Sequence, residues 1–295
     1  HEYGSCNIWA INDVNLLEIT NVKQQDVFLE NIAKLSGTGA LEDPYLINNA
    51  EELVIFRDAV NSGYDFSGEY IRQNADIDLS EEVWTPIGSY GTDRYFYGTY
   101  DGAGHIITNL TTIETGASAF FGVLGGTVVN LGIDSGVIRG SSCGTIASHA
   151  ASTSAAIINC YARAKVEGRR AGGIADNIGE AAIIGCWSDC ELIADVTGGI
   201  SSYNAQISMC CTSSAGVVPN EHMTGASLNN SAGIKFEAED LIDIAAGLNE
   251  NLQTVAEVSG IRVALYPFVV EDGRLVFSDE PYSSTFGEWL DNHYR

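Results

Sequence analysis

The segment AIINCYARAKVEG at 156–168 is followed by AIIGCWSDCELI at 182–193, so two aliphatic residues, a cysteine and an aromatic keep their places while the charges change. Aligning the chain on Leu131, Cys160, Cys186 and Cys210 gives VVNL, IINC, IIGC and ISMC, at spacings of 29, 26 and 24 residues. A period in the twenties to forties marks a stacked-repeat protein. Each repeat has room for three strands of ~5 residues with turns between them, and none carries a 3.6-residue apolar pattern. The expected fold is an all-β solenoid.

Successive side chains on a strand point to opposite sides, so the frame assigns faces. Ile158, Cys160, Ala162, Ala164 and Val166 are expected inside, with Asn159, Tyr161, Arg163, Lys165 and Glu167 outside. The next repeat places Ile184, Cys186, Ser188, Cys190 and Leu192 inside, and Trp187, Asp189 and Glu191 outside. Stacked parallel strands set neighbouring cysteines ~4.8 Å apart with parallel Cβ directions, which favours a buried ladder of small thiols. A disulfide or a metal site is the alternative. Seven cysteines cannot all pair internally, and none forms a C-x-x-C motif.

The formal net charge is -25, which opposes binding to nucleic acid or to an anionic membrane face. The charge is uneven: residues 1–118 carry 19 acidic and 5 basic side chains, 119–233 carry 8 and 5, and 234–295 carry 12 and 4. No stretch approaches the ~18 apolar residues of a membrane span, and no signal peptide opens the chain. Beginning at His1, the chain is expected to be a mature or excised piece whose targeting segments are missing.

The run FFGVLGGTVVNLGIDSGVIRG at 120–140, then IINCYARAKVEG, AGGIADNIGEAAIIGCW and TGGISSYNAQISMCC, resembles the repeats of GLUG-motif proteins of bacterial surface and secreted chains, including regions attached to immunoglobulin A peptidases. Upstream, residues 37–63, ADIDLSEEVWTPIG at 75–88 and YFYGTYDGAGHIITNL at 95–110 resemble the leader that precedes such repeats. The resemblance spans about 37–214 and implies a right-handed parallel β-helix in an adhesion-, wall- or carbohydrate-associated extracellular protein, with no shared catalytic residues. The chain departs from the pattern at Gly185, which replaces the usual Asn, and in the degenerate fourth repeat with Met209 and Cys211.

An open solenoid exposes apolar ends and therefore needs caps. Asn49 and Glu52 form a capping-box-like start to a helix with an apolar face at Leu53, Val54, Phe56, Ala59 and Val60, stopped at Gly63. The expected division is 1–36, an N-terminal extension or neighbouring-module segment; 37–118, leader, capping helix and first coils; 119–233, the repeats; and 234–295, a C-terminal cap. In the first segment NDVNLLEITNV reads as a strand and DVFLENIAKL as a helix. In the last, Ala238 to Leu248 reads as a helix and 262–278 as a hairpin turning at Asp272-Gly273, with Pro267 suiting an edge.

The candidate ligand-binding residues are outward ones: Tyr161 beside Trp187, Arg163 beside Asp189, and Lys165 beside Glu191. Exposed, the two aromatics form a stacking platform for sugar rings flanked by hydrogen-bonding charges; covered by a loop, they are structural and the charges are cross-strand pairs. The leading expectation is a non-catalytic extracellular module that binds a glycan or a surface protein, or serves as a rigid stalk, without nucleic-acid partners or membrane insertion. The alternative is a polysaccharide lyase or glycoside hydrolase on the same fold, with carboxylates holding calcium and a basic residue abstracting a proton. No cofactor is expected, calcium being the one candidate. Asp76 with Asp78 falls short of the 6 to 8 oxygens calcium takes. Asp101 and His105 in DGAGH suit a tight turn, GVLGG lacks a dinucleotide-binding frame, and His149 and His222 have no recognisable partners.

Overall fold

A computed structural model describes residues 32–203, 205–214 and 238–282. The strand and most of the helix expected before residue 32, and His222, lie outside them. The described chain is a β-solenoid of about six coils. Its first sheet stacks seven parallel strands in chain order: Tyr45–Ile47, Tyr70–Gln73, Thr99–Asp101, Thr127–Val129, Ala156–Ile158, Ala182–Ile184 and Gln206–Ser208. A second sheet of eight strands includes Ile106–Ile113, Gly132–Gly144, Tyr161–Gly172 and Glu191–Gly198; a short third sheet holds Phe121–Leu124, Ala147–Ala150 and Ala175–Asn177. Each coil of the repeat region runs through the first sheet, turns a corner into the second, and returns by way of the third.

The register agrees with the repeat alignment. Val129 pairs with Ile158, Ile158 with Ile184 and Ile184 with Ser208, each two residues before Leu131, Cys160, Cys186 and Cys210. Beyond the corner, Cys160, Ala162, Ala164 and Val166 face the core, and so do Cys186, Cys190 and Leu192. Ile158 and Ile184 do not. They lie on the outer flank, while Ile157 and Ile183 take the inward places.

The corner explains that correction. Asn130, Asn159, Gly185 and Met209 all have left-handed backbones, with φ of 52°, 47°, 64° and 53°, and one such residue breaks the strict alternation of faces. L-residues pay ~1–2 kcal/mol there, Asn and Gly least, which accounts for both the Asn in the repeat and the Gly that replaces it. Met209 carries the strain in the irregular fourth repeat. Asn159 Nδ2 donates to Asn130 Oδ1 at 2.8 Å, and Asn130 Nδ2 to Asp101 Oδ1 at 2.9 Å, so the corner side chains stack as a polar ladder.

The cysteine after the corner has a backbone reason too. The N–H groups of Leu131, Cys160 and Cys186 donate to Sγ of Cys160, Cys186 and Cys210 at 3.5, 3.4 and 3.3 Å. The three thiols in turn donate to the carbonyls of Ile158, Ile184 and Ser208 at 3.1, 3.5 and 3.2 Å. All six described cysteines are buried thiols rather than disulfides.

At the start of the coil, the helix Ala50–Ser62 buries Leu53, Phe56, Ala59 and Val60 in the same core. Asn49 Oδ1 accepts from Glu52 N–H at 3.0 Å, the Glu52 carboxylate accepts from Asn48 N–H at 2.7 Å, and Gly63 ends the helix at φ 112°. No described helix is long and apolar enough to cross a membrane. The C-terminal segment forms two helices, Ala238–Glu250 and Leu252–Ser259, and a hairpin, Phe268–Glu271 with Arg274–Phe277, turning at Asp272 and Gly273 with positive φ.

These described C-terminal elements pack along a flank of the solenoid. Leu252, Val255 and Leu265 cover Val129, Ile158 and Ile184; Leu248, Phe268 and Phe277 cover Tyr161 and Trp187. The corner turns two apolar residues per coil outward, and that strip needs a cover.

Two outcomes follow. A thiol reagent applied to the native protein is expected to leave the six described cysteines unmodified and to reach them only in denaturant; burial pushes the Cys143 thiol up to about 12 and Cys190 up to about 11, and Cys186 and Cys210 well above the ordinary value. Cys6, outside the described residues, is left out of that count. In urea titrations Gly185→Ala is expected to cost about 1 kcal/mol and Gly185→Asn less, since Asn tolerates the left-handed corner.

Candidate functional site

Tyr161 and Trp187 are register partners with ring centroids 6.2 Å apart, as the stacked column requires. They are not exposed: Tyr161 is 0% and Trp187 1% accessible. The hairpin lies over them, with Phe277 5.2 Å and Phe268 6.4 Å from the Tyr161 ring. Tyr161 reaches across Gly132, where an added Cβ would sit 2.6 Å from the ring Cζ. An open stacking platform at these two rings is therefore corrected. Each ring carries ~150–250 Å² of largely apolar surface, and the adjoining hairpin supplies the matching one.

Arg163 fastens that cover. Its guanidinium bonds both Asp134 oxygens, at 2.6 and 3.0 Å, donates to Leu275 O at 3.4 Å, and lies 5.3 and 5.9 Å from the Tyr161 and Trp187 ring centroids. The expected Arg163–Asp189 pair is absent, and Asp189 accepts from Ser213 Oγ at 2.9 Å instead. Lys165 is in register with Glu191, but its ammonium binds Glu167 at 2.7 Å, which also takes Arg139 at 2.6 Å. Lys165 foremost, with Arg139, holds the Glu167 carboxyl below the usual range. Asp189 and Glu191 are exposed. The six residues thus share one outward face, where all but the exposed Glu191 pack against or pair with protein groups. Two polar atoms beneath the hairpin, Tyr161 Oη and Trp187 Nε1, are buried with no hydrogen-bond partner among the described residues.

The leader carboxylates divide. Asp101 is buried and accepts from Arg72 at 2.7 Å, Asn130 at 2.9 Å and the Ala103 N–H at 2.9 Å; burial pushes its carboxyl up against these partners. Asp78 accepts from Asn109 at 2.8 Å and from Ser80, which hold its carboxyl below the usual range. Both are turn and corner residues. Asp76 Oδ1 meets His105 Nδ1 at 3.2 Å and the Ile106 N–H at 3.0 Å. Among the described residues no group of three or more His, Cys, Asp or Glu converges as a metal site.

His149, without a partner in the sequence reading, has two. Its Nδ1 lies 2.9 Å from Ser148 Oγ, and its ring is 5.1 Å from Tyr90. Tyr90 belongs to an exposed aromatic cluster that sequence reasoning missed. Tyr90 is 74% and Tyr97 39% accessible, and the Tyr95 and Tyr97 rings lie 6.4 Å apart. The loop carrying them is tied at both ends, by bridges from Ile87 to Phe121 and from Phe96 to Leu124. Asn61 fixes its middle: its carbonyl accepts from Arg94 at 3.0 Å and its Oδ1 from the Gly88 N–H at 2.7 Å. Gly125 lets the Tyr97 ring lie on the coil, since a Cβ there would come within 2.6 Å of it. The available signal was SYGTDRYFYG itself, three tyrosines in a stretch rich in turn residues.

No family model matches the chain. A protein named Halomucin from Haloquadratum walsbyi is 31% identical over 163 residues, covering 50% of this chain and 2% of that protein. The chain thus spans about a fiftieth of that relative's length. A solved structure of a Bacteroides ovatus protein, described as a "putative immunoglobulin A1 protease", aligns over 82% of this chain and 94% of its own at 18% identity and a TM-score of 0.47. That likeness is too loose to bear on function.

The buried column predicts a stability effect. Trp187→Ala is expected to lower unfolding free energy by about 3–5 kcal/mol, read from denaturant midpoints, because it empties a packed site.

Proposed function

We propose that the chain is a non-catalytic extracellular surface module, a right-handed parallel β-helix of GLUG-like repeats that holds out a glycan-binding face. The observation that carries this reading is the tied loop that presents Tyr90, against His149, and the neighbouring Tyr95–Tyr97 pair. Exposed aromatic rings on a rigid support stack on the apolar faces of sugars while their hydroxyls bond the sugar rim. A net charge of -25 repels uronate and sulfated chains, so the favoured ligand is a neutral glycan. The partial identity to a chain named Halomucin supports a surface placement. The solenoid also suits a stiff spacer, since each coil is fixed to the next through three parallel sheets.

The enzymatic alternative has less support. Arg163 and Lys165, the bases it would use, are each held in an ion pair.

Neutral mucin-type and plant glycans arrayed against the protein are expected to give binding that Tyr90→Ala weakens about 3–10-fold, as loss of one stacking ring implies. Tyr90 is exposed, so its melting temperature should be unchanged. Binding that survives Tyr90→Ala together with Tyr97→Ala would remove this face as the site, and new reducing ends or unsaturated products from any glycan would establish the enzyme instead.

A further inference from the structure

A cavity of about 410 Å³ opens between the solenoid and the C-terminal hairpin, within the size range of small-molecule sites. The coil side contributes Asp76, His105, Asp134 and Tyr161, and the hairpin side Glu271 and Asp279. Four acidic residues line one space. Asp134 is neutralised by Arg163 and Asp76 holds His105, but no salt bridge among the described residues reaches Glu271 or Asp279. The cavity is therefore a pole of negative charge built from two parts of the chain that are distant in sequence.

Acidity alone would indicate only a solvated surface. The second observation is Tyr161, a residue of the same wall, whose Oη is buried and has no hydrogen-bond partner among the described residues. Its ring crosses Gly132 toward Ile106, another residue of that wall. Asp134 and Asp76 both act electrostatically on its hydroxyl, which burial keeps protonated despite the nearby Arg163. A buried hydroxyl left unmade costs ~1–3 kcal/mol, and a donor arriving from the cavity offsets it.

We propose that this cavity binds a primary ammonium group, held by the charges of Glu271 and Asp279 and donating to Tyr161 Oη. An ammonium brings three donors and no acceptor, which suits separate carboxylates and one lone-pair oxygen. Calcium, which takes 6 to 8 oxygens, finds no group of three His, Cys, Asp or Glu ligands among the described residues. A neutral sugar gains nothing from the charge. The site is distinct from the tyrosine face and does not depend on it.

Calorimetric titration of the full chain at low salt with glucosamine, n-butylamine, glucose and calcium chloride tests the assignment. Both amines are expected to bind, glucose and calcium not. Preference for glucosamine identifies an amino sugar; equal binding identifies the ammonium alone, as on a lysine side chain. Glu271→Gln and Asp279→Asn are each expected to weaken amine binding about 3–10-fold. Tyr161→Phe should weaken it about 10-fold with little change in melting temperature, because the hydroxyl it removes makes no hydrogen bond of ordinary length among the described residues, only a looser approach of the neighbouring Arg163. Tyr90→Ala should leave it unchanged. Glucose binding as well as glucosamine, calcium binding in place of the amines, absence of amine binding, or amine binding indifferent to all three substitutions would overturn the proposal.

Discussion

The solenoid's repeats depend on one backbone constraint: the chain must turn the same corner in each of the four, through a residue with positive φ. Only if each corner is alike do the strands on either side stay in register with the coil before. The side chains at and after the corner serve that need. Asn130 and Asn159 accept the left-handed conformation and bond each other, and the cysteine that follows gives its sulfur to an N–H of the preceding coil. A neutral thiol is well suited, being small enough for the narrow interior and able both to donate and to accept weakly.

The same corner creates the molecule's second feature. By breaking alternation it turns Ile158 and Ile184 outward next to Tyr161 and Trp187, leaving an apolar strip along the coil. The C-terminal helices and hairpin occupy that strip. Their polar contacts are specific: Asn130 Nδ2 also donates to Ala264 O and Asn159 Nδ2 to Tyr266 O, both at 2.9 Å. Function is thus displaced from the aromatic column, where packing consumes the rings, to the tied tyrosine loop and to the cavity at the hairpin's edge.

Much of this was legible because repetition samples one environment several times. Four corners in a row showed the period, the cysteine position, the register of Lys165 with Glu191, and the inward set from Cys160 to Val166. The inward assignment of Ile158 failed because period-2 logic assumes extended backbone throughout, and Asn159 is not extended. The Arg163–Asp189 pair failed because an outward charge chooses between the coil before and the coil after, and Asp134 was the nearer match. The sequence offered a loop covering Tyr161 and Trp187 as one of two readings but could not say which segment covers them, since a flank contact from residues about 80 to 90 positions later leaves no periodic trace. The tyrosine cluster was hidden for a similar reason: Tyr90 and His149 are 59 residues apart and meet only through the third sheet.

The doubled duty of the corner amides has a further consequence. Because Asn130 and Asn159 hold coil to coil and coil to hairpin segment with the same groups, the flank elements cannot peel away without loosening the ladder beneath them. Repeat proteins commonly fray from their termini one unit at a time; here the lateral brace spans several coils and ties their opening together, which makes a single shared melting event out of what the repeat architecture alone would let unravel piecemeal.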